Sequence, residues 1–148
     1  NKVRKVLPLC AMIHSVDSAR LAAEIDKRTS GMRDVPMPVF LEINVSGEES
    51  KWGLQPEAAL DVLDELAGTD NLLIRGLMTM APFTGDMKVC RGVFQRLATL
   101  QEELRTEVAD SSMPLDALSM GMTQDFEVAV EEGATHVRVG SALFEGTG

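Results

Sequence analysis

Tyrosine is absent from these 148 residues, tryptophan occurs once, and cysteine occurs twice. No apolar run approaches the roughly 20 residues that a membrane-crossing helix needs, and no charged n-region followed by an apolar h-region opens the chain. Cys10 and Cys90 lie far apart, outside any CxxC or His spacing, so neither a metal centre nor a disulfide framework is supported. A reduced, cytoplasmic compartment is the expectation. Basic residues are also scarce. With 14 Lys and Arg against 23 Asp and Glu, the formal net charge of −9 opposes attraction to the phosphates of nucleic acid or anionic membrane, and neither is expected as a partner. GxGxxG, GxxxxGK[ST] and HExxH are missing, which removes the usual signatures of dinucleotide binding, nucleotide hydrolysis and zinc proteolysis.

What is present is a regular alternation. A hydrophobic fraction of 45% suits one domain with its own core, taken as residues 1–148, and no linker, repeat or biased segment interrupts it. Strand-like apolar runs stand at 9–13, 38–45, 72–80, 115–119 and 136–139, and each gap carries a helical period. Helices are expected from Ser18 to before Ser30-Gly31, after Gln55-Pro56 to Gly68, from Met87 to Val108, and from an N-cap at Thr123 to before Gly133. Near-continuous apolar strands imply burial on both faces, as in parallel sheets covered by helices. The series predicts an α/β fold: a partial (β/α)8 barrel of about five βα units, parallel strands inside, helices outside, and no closure. The abrupt start at Asn1-Lys2-Val3 leads us to expect a domain truncated at its N-terminus.

Small residues at two strand ends mark a candidate anion site. Ser119, Met120 and Gly121 end one run and Gly140 and Ser141 end the next, where backbone N–H groups and hydroxyls would be open to a phosphate. A plain βα turn is the alternative. Arg138, inside an apolar strand, must find partners: either a core carboxylate such as Glu42 or a ligand above the barrel. Lys51 reads as a solvated charge near Glu48. His14 and Asp17 form a possible acid–base pair, against which helix capping by Asp17 or Ser18 is the better account. Met78, Met80, Met120 and Met122 cluster at strand ends as flexible core filling.

Several segments together resemble the pyridoxal phosphate homeostasis protein family: Asn1-Lys2, His14 to Ser18, Glu42 to Glu48 with Lys51 and Gly53, Arg75 to Met78, Leu118 to Met122 with Asp125 and Glu127, and Val137 to Ser141 with Phe144. The resemblance covers nearly the whole chain. It implies a single-domain relative of the alanine racemase N-terminal barrel that binds pyridoxal 5′-phosphate (PLP) as a carrier or regulator without established catalysis. It further implies that Ser119, Gly140 and Ser141, with Met120 and Gly121 in the first turn, hold the phosphate. Arg138 would approach the pyridine nitrogen and Met78 would lie near the pocket. Two departures stand out: the lysine that forms the family's Schiff base would precede Asn1, and the chain ends Glu145-Gly146-Thr147-Gly148 where the family continues with Gly and a basic residue. The full-length protein is expected to be a monomer that binds no metal. A PLP-dependent racemase-like enzyme is one alternative; such enzymes use a second β-rich domain and a catalytic tyrosine, and this chain has no tyrosine. A phosphosugar-binding barrel enzyme is the other. It would use the same turns but needs acid–base groups at several strand ends, for which only His14, Glu42 and Lys51 offer themselves.

Overall fold

The computed structural model describes residues 2–47 and 52–144. Lys51 and Glu48, named above as a possible charge pair, lie outside the described residues, as do Asn1 and the last four residues. Five strands, β1 (Ile13–Val16), β2 (Met37–Glu42), β3 (Leu72–Met78), β4 (Ala117–Met122) and β5 (His136–Arg138), form one sheet in sequential order, and every neighbouring pair is parallel. Helices α2 (Ala19–Thr29), α3 (Ala59–Glu65), α4 (Met87–Glu107) and α5 (Phe126–Glu131) connect them, after a short α1 (Val3–Val6). The sheet curls strongly. His14 of β1 and His136 of β5, from opposite ends of the strand order, meet edge to face with ring centroids 5.7 Å apart. The result is the expected open half-barrel with helices outside.

Strand alternation divides the apolar residues into two groups. Val39, Leu41, Ile43, Ile74, Leu77, Leu118 and Met120 face the helices and pack with Val93, Phe94 and Leu97 of α4. Phe40, Met78 and Ala117 face the concave side in a smaller cluster. Ser18 caps α2 by accepting from Leu21 N–H at 3.3 Å, and Asp86 caps α4 by accepting from Lys88 N–H at 2.9 Å.

Three expectations about element boundaries are corrected. The first strand begins at Ile13, not Leu9, because the carbonyls of Leu7 and Cys10 accept from the Arg33 guanidinium rather than joining a ladder, which leaves Leu9 exposed. β4 runs on to Met122 instead of ending at Ser119: its register against β5 shifts between Ser119 and Met122, and this bulge absorbs Gly121 at φ +94°. Helix α5 starts after Asp125 rather than at Thr123, because Asp125 Oδ1 accepts from Met122 N–H at 2.6 Å and holds residues 122–125 as a turn.

Candidate functional site

The concave face carries polar groups at the carboxyl ends of its strands. Ser119 is fully buried there. Its Oγ accepts from Arg138 Nη1 at 2.7 Å and lies 2.8 Å from His14 Nδ1. Arg138 also donates through Nη1 to Ser119 O at 3.1 Å and through Nη2 to Thr79 O at 2.9 Å, so it points inward across β4 toward β3. No ion pair joins it to Glu42 among the described residues; Glu42 acts on it only at longer range. Burial lowers the Arg138 pKa, opposed by Glu42 and Asp125. A guanidinium stays charged regardless, and its Nε–H and second Nη2–H remain for a ligand.

His14 stacks on Phe40 at 4.7 Å, and His136 meets Phe40 edge to face at 5.1 Å. His14 therefore supports Ser119 and makes no acid–base pair with Asp17, whose carboxylate instead accepts from the Ser18 hydroxyl at 3.1 Å. Burial, then His136, then Arg138 lower the His14 pKa below 6.5. A lowered folded-state value means that the unfolded chain takes the proton first, so stability from His14 is complete above about pH 6.5 and drains away as pH falls toward the lowered value. His14→Gln keeps a hydrogen-bonding group beside Ser119 without titrating. Between about pH 7.5 and 5.5 the Tm of the wild type should fall by more than that of His14→Gln, as differential scanning fluorimetry would show.

Two clefts open above this floor. The first, about 370 Å³, lies between the β3–α4 loop and the strand ends of β4 and β5, lined by Pro82, Phe83, Met122, Thr123, Gly140 and Ser141. Within it Thr123 Oγ1 accepts from Gly140 N–H at 3.3 Å, which leaves the Thr123 hydroxyl proton and the Ser141 hydroxyl for a ligand. The second, about 290 Å³, lies over β2 and β3, lined by Glu42, Asn44, Trp52, Thr79, Met80 and Phe83. Arg138 sits between the two: it is in register with Met122 of one and bonded to the carbonyl of Thr79 in the other.

The sequence-derived candidates thus separate. Gly140 and Ser141 line the first cleft, Arg138 and Ser119 form the floor, and Met78 is part of the concave cluster. Met120 is fully buried on the helix side, where strand alternation turns it away from the concave face. Gly121 lines neither cleft. A Cβ there would sit 2.6 Å from Ala129 Cβ and 3.0 Å from Phe126 Cα, so this glycine serves the approach of α5. Thr123, Met122 and Phe83 line a cleft and were not singled out as ligand contacts. The signal for Thr123 was in the sequence, since its hydroxyl belongs to the same strand-to-helix stretch as Ser119 and Gly121. Among the described residues no group of three or more His, Cys, Asp or Glu could hold a metal ion, and no helix is long and apolar enough to cross a membrane.

Residues 3–147 match the family described as alanine racemase, N-terminal domain. The chain is 40% identical over 144 residues to the pyridoxal phosphate homeostasis protein of Aquifex aeolicus, covering 97% of this chain and 61% of that protein. It is 38% identical to the protein of that name from Pseudomonas aeruginosa, covering 97% and 59%. The chain thus spans about three fifths of the length of these curated relatives. The structure of PipY from Synechococcus elongatus with PLP bound is similar at TM-score 0.85 and 32% identity, covering 97% of this chain and 65% of that one. An alanine racemase from Clostridium difficile, at 14% identity and TM-score 0.68 over 97% of this chain and 38% of that one, shares the fold.

Proposed function

Because the chain belongs to the family of alanine racemase N-terminal domains, we propose that it holds pyridoxal 5′-phosphate and serves PLP homeostasis as a carrier or regulator rather than as an enzyme. The observation that carries this reading is the inward Arg138, anchored by Ser119 and Thr79 between two clefts at the carboxyl ends of parallel strands. The phosphate fits the first cleft, against the hydroxyls of Thr123 and Ser141, with Gly140 lining the wall without side-chain bulk. The phosphate was expected between the Ser119–Gly121 and Gly140–Ser141 turns; we keep the second turn and give the part of the first to Thr123, because the Ser119 hydroxyl is already engaged by Arg138 and His14. Arg138, and Met78 on the concave face, would then be the residues that hold the pyridine ring.

When bound, the cofactor supplies an aldehyde and an electron-withdrawing ring. Arg138 bears on the second of these. A free N–H of Arg138 would donate to the ring nitrogen, and its fixed positive charge would disfavour a proton there, which would weaken the ring as an electron sink. Ser119 and Thr79 hold the guanidinium in that orientation, and His14 holds Ser119. This arrangement suits retention better than broad carbanion chemistry. Among macromolecules, neither nucleic acid nor membrane suits a surface of this charge, and the whole protein is proposed to act as a cytoplasmic monomer.

Titration of the chain with PLP should give saturable binding that inorganic phosphate competes away and that pyridoxal, lacking the phosphate, does not reproduce. Equal binding of PLP and pyridoxal would remove the phosphate cleft from this reading.

A further inference from the structure

The second cleft holds a carboxylate, Glu42, that forms no ion pair among the described residues and feels Arg138 only at longer range. Glu42 is the last residue of β2 and shares the concave face with Phe40 two residues earlier. It is only 6% exposed, and among the described residues its side chain has neither a hydrogen bond nor an ion pair. Such a group is costly. The Glu42 oxygens open to the cleft rather than being sealed in the protein, but burial of the residue strips part of their hydration and Asp17 adds negative charge nearby. Burial and then Asp17 raise its pKa, while Arg138 opposes them. Arg138 acts on it only through space: three of its N–H groups go to Ser119 and the Thr79 carbonyl, and no hydrogen bond or ion pair joins the remaining two to Glu42. Thr79 is likewise committed, its hydroxyl donating to Ile43 O at 2.8 Å.

The surroundings define what would satisfy Glu42. The cleft above it is walled by Trp52 and Phe83, which are 77% and 91% exposed and stand at the rim, with Met80 beside them. An anionic base under aromatic and apolar walls selects a small cation with a hydrocarbon portion. Aromatic faces attract a cation, and a compact ammonium presents several N–H donors to one carboxylate. We propose that this cleft binds the ammonium group of a small primary amine, with the Glu42 carboxylate as its counter-ion and Trp52 and Phe83 against its hydrocarbon part. Ala81 and Phe83 line both clefts, so the amine would lie beside the proposed cofactor position. The inference stands apart from the cofactor reading, because the amine is tested with no cofactor present.

Trp52 is the chain's single tryptophan and lines this cleft, so its fluorescence reports on the site. Titration of the chain with n-butylammonium should give a saturable change, which n-butanol of the same length should not. Glu42→Gln should weaken the ammonium response at least tenfold while its thermal unfolding and circular dichroism stay native. The ammonium could come from a monoamine or from an α-amino acid, and a parallel titration with L-norvaline separates the two: saturation only by n-butylammonium means that the cleft excludes the carboxylate, and saturation by norvaline means that it accepts it. Equal responses to n-butanol and n-butylammonium would overturn the proposal. So would an unchanged affinity in Glu42→Gln. If Glu42→Gln fails to fold, the two wild-type titrations decide, supported by Glu42→Asp, which keeps the charge and should retain a weakened response.

Discussion

Replacing Gly76 by alanine should leave the chain at or below the threshold of folding. Gly76 lies in β3, paired with Ala117 of β4, and a Cβ built on it would stand 1.7 Å from the Ala117 carbonyl oxygen and 2.7 Å from its carbon. Both are backbone atoms of an adjacent strand, so no side-chain rotation relieves the overlap. The two strands would have to part where the ladder passes from Arg75, on the exposed side of the sheet, to Met78 in the concave cluster. Lost ladder hydrogen bonds and a displaced Met78 add to the clash, for a cost of about 4 kcal/mol or more. Against the roughly 5–15 kcal/mol that holds a small domain together, that is most of the margin. Gly85→Ala is the matched control, since nothing lies within 4 Å of its Cβ and its φ lies outside the left-handed region. Urea unfolding followed by circular dichroism should show a native transition for Gly85→Ala and little or none for Gly76→Ala. A Gly76→Ala protein within about 1 kcal/mol of wild type would mean that β3 and β4 are not so closely paired.

That close approach illustrates what a sequence reveals and what it leaves hidden. The five apolar runs announced parallel strands because each is buried on both faces, and the order of the sheet followed from their alternation with helices. Arg138 could be placed on a strand, and its inward direction follows from sharing a face with His136, two residues away. The errors arose where local composition competes with tertiary partners. Leu9 looks like a strand residue, yet it is exposed, because Arg33 claims the carbonyls of Leu7 and Cys10 on either side of it. Ser119 and Gly121 look like the small residues of a turn, yet one is a buried polar anchor and the other a packing contact under α5. Glu42 was weighed as the partner of Arg138. Partner choice among buried charges depends on angles and reach, and two backbone carbonyls and a hydroxyl satisfied the guanidinium first.

Ser141→Glu should abolish the preference of the chain for PLP over pyridoxal. Ser141 opens a short 3-10 turn after β5, is exposed, lines the first cleft, and has no hydrogen-bonding partner for its hydroxyl among the described residues. The variant should therefore fold normally, unlike one at Ser119, whose hydroxyl is buried between Arg138 and His14. A carboxylate within about 4 Å of a phosphate unit charge is repelled by roughly 1 kcal/mol in water and about 4 kcal/mol in a partly desolvated cleft. A phosphate monoester carries close to two charges, and salt screens part of the effect. A loss of about 100-fold in PLP affinity, about 2.8 kcal/mol, is a fair middle value. Pyridoxal lacks the phosphate, so its weaker binding should change less than about threefold. Equilibrium dialysis of both ligands against wild type and variant gives the ratio directly, and the ratio separates local charge repulsion from general damage, which would weaken both alike. Unchanged PLP affinity in Ser141→Glu would move the phosphate away from the β4 and β5 strand ends, and with it the orientation that brings the ring to Arg138.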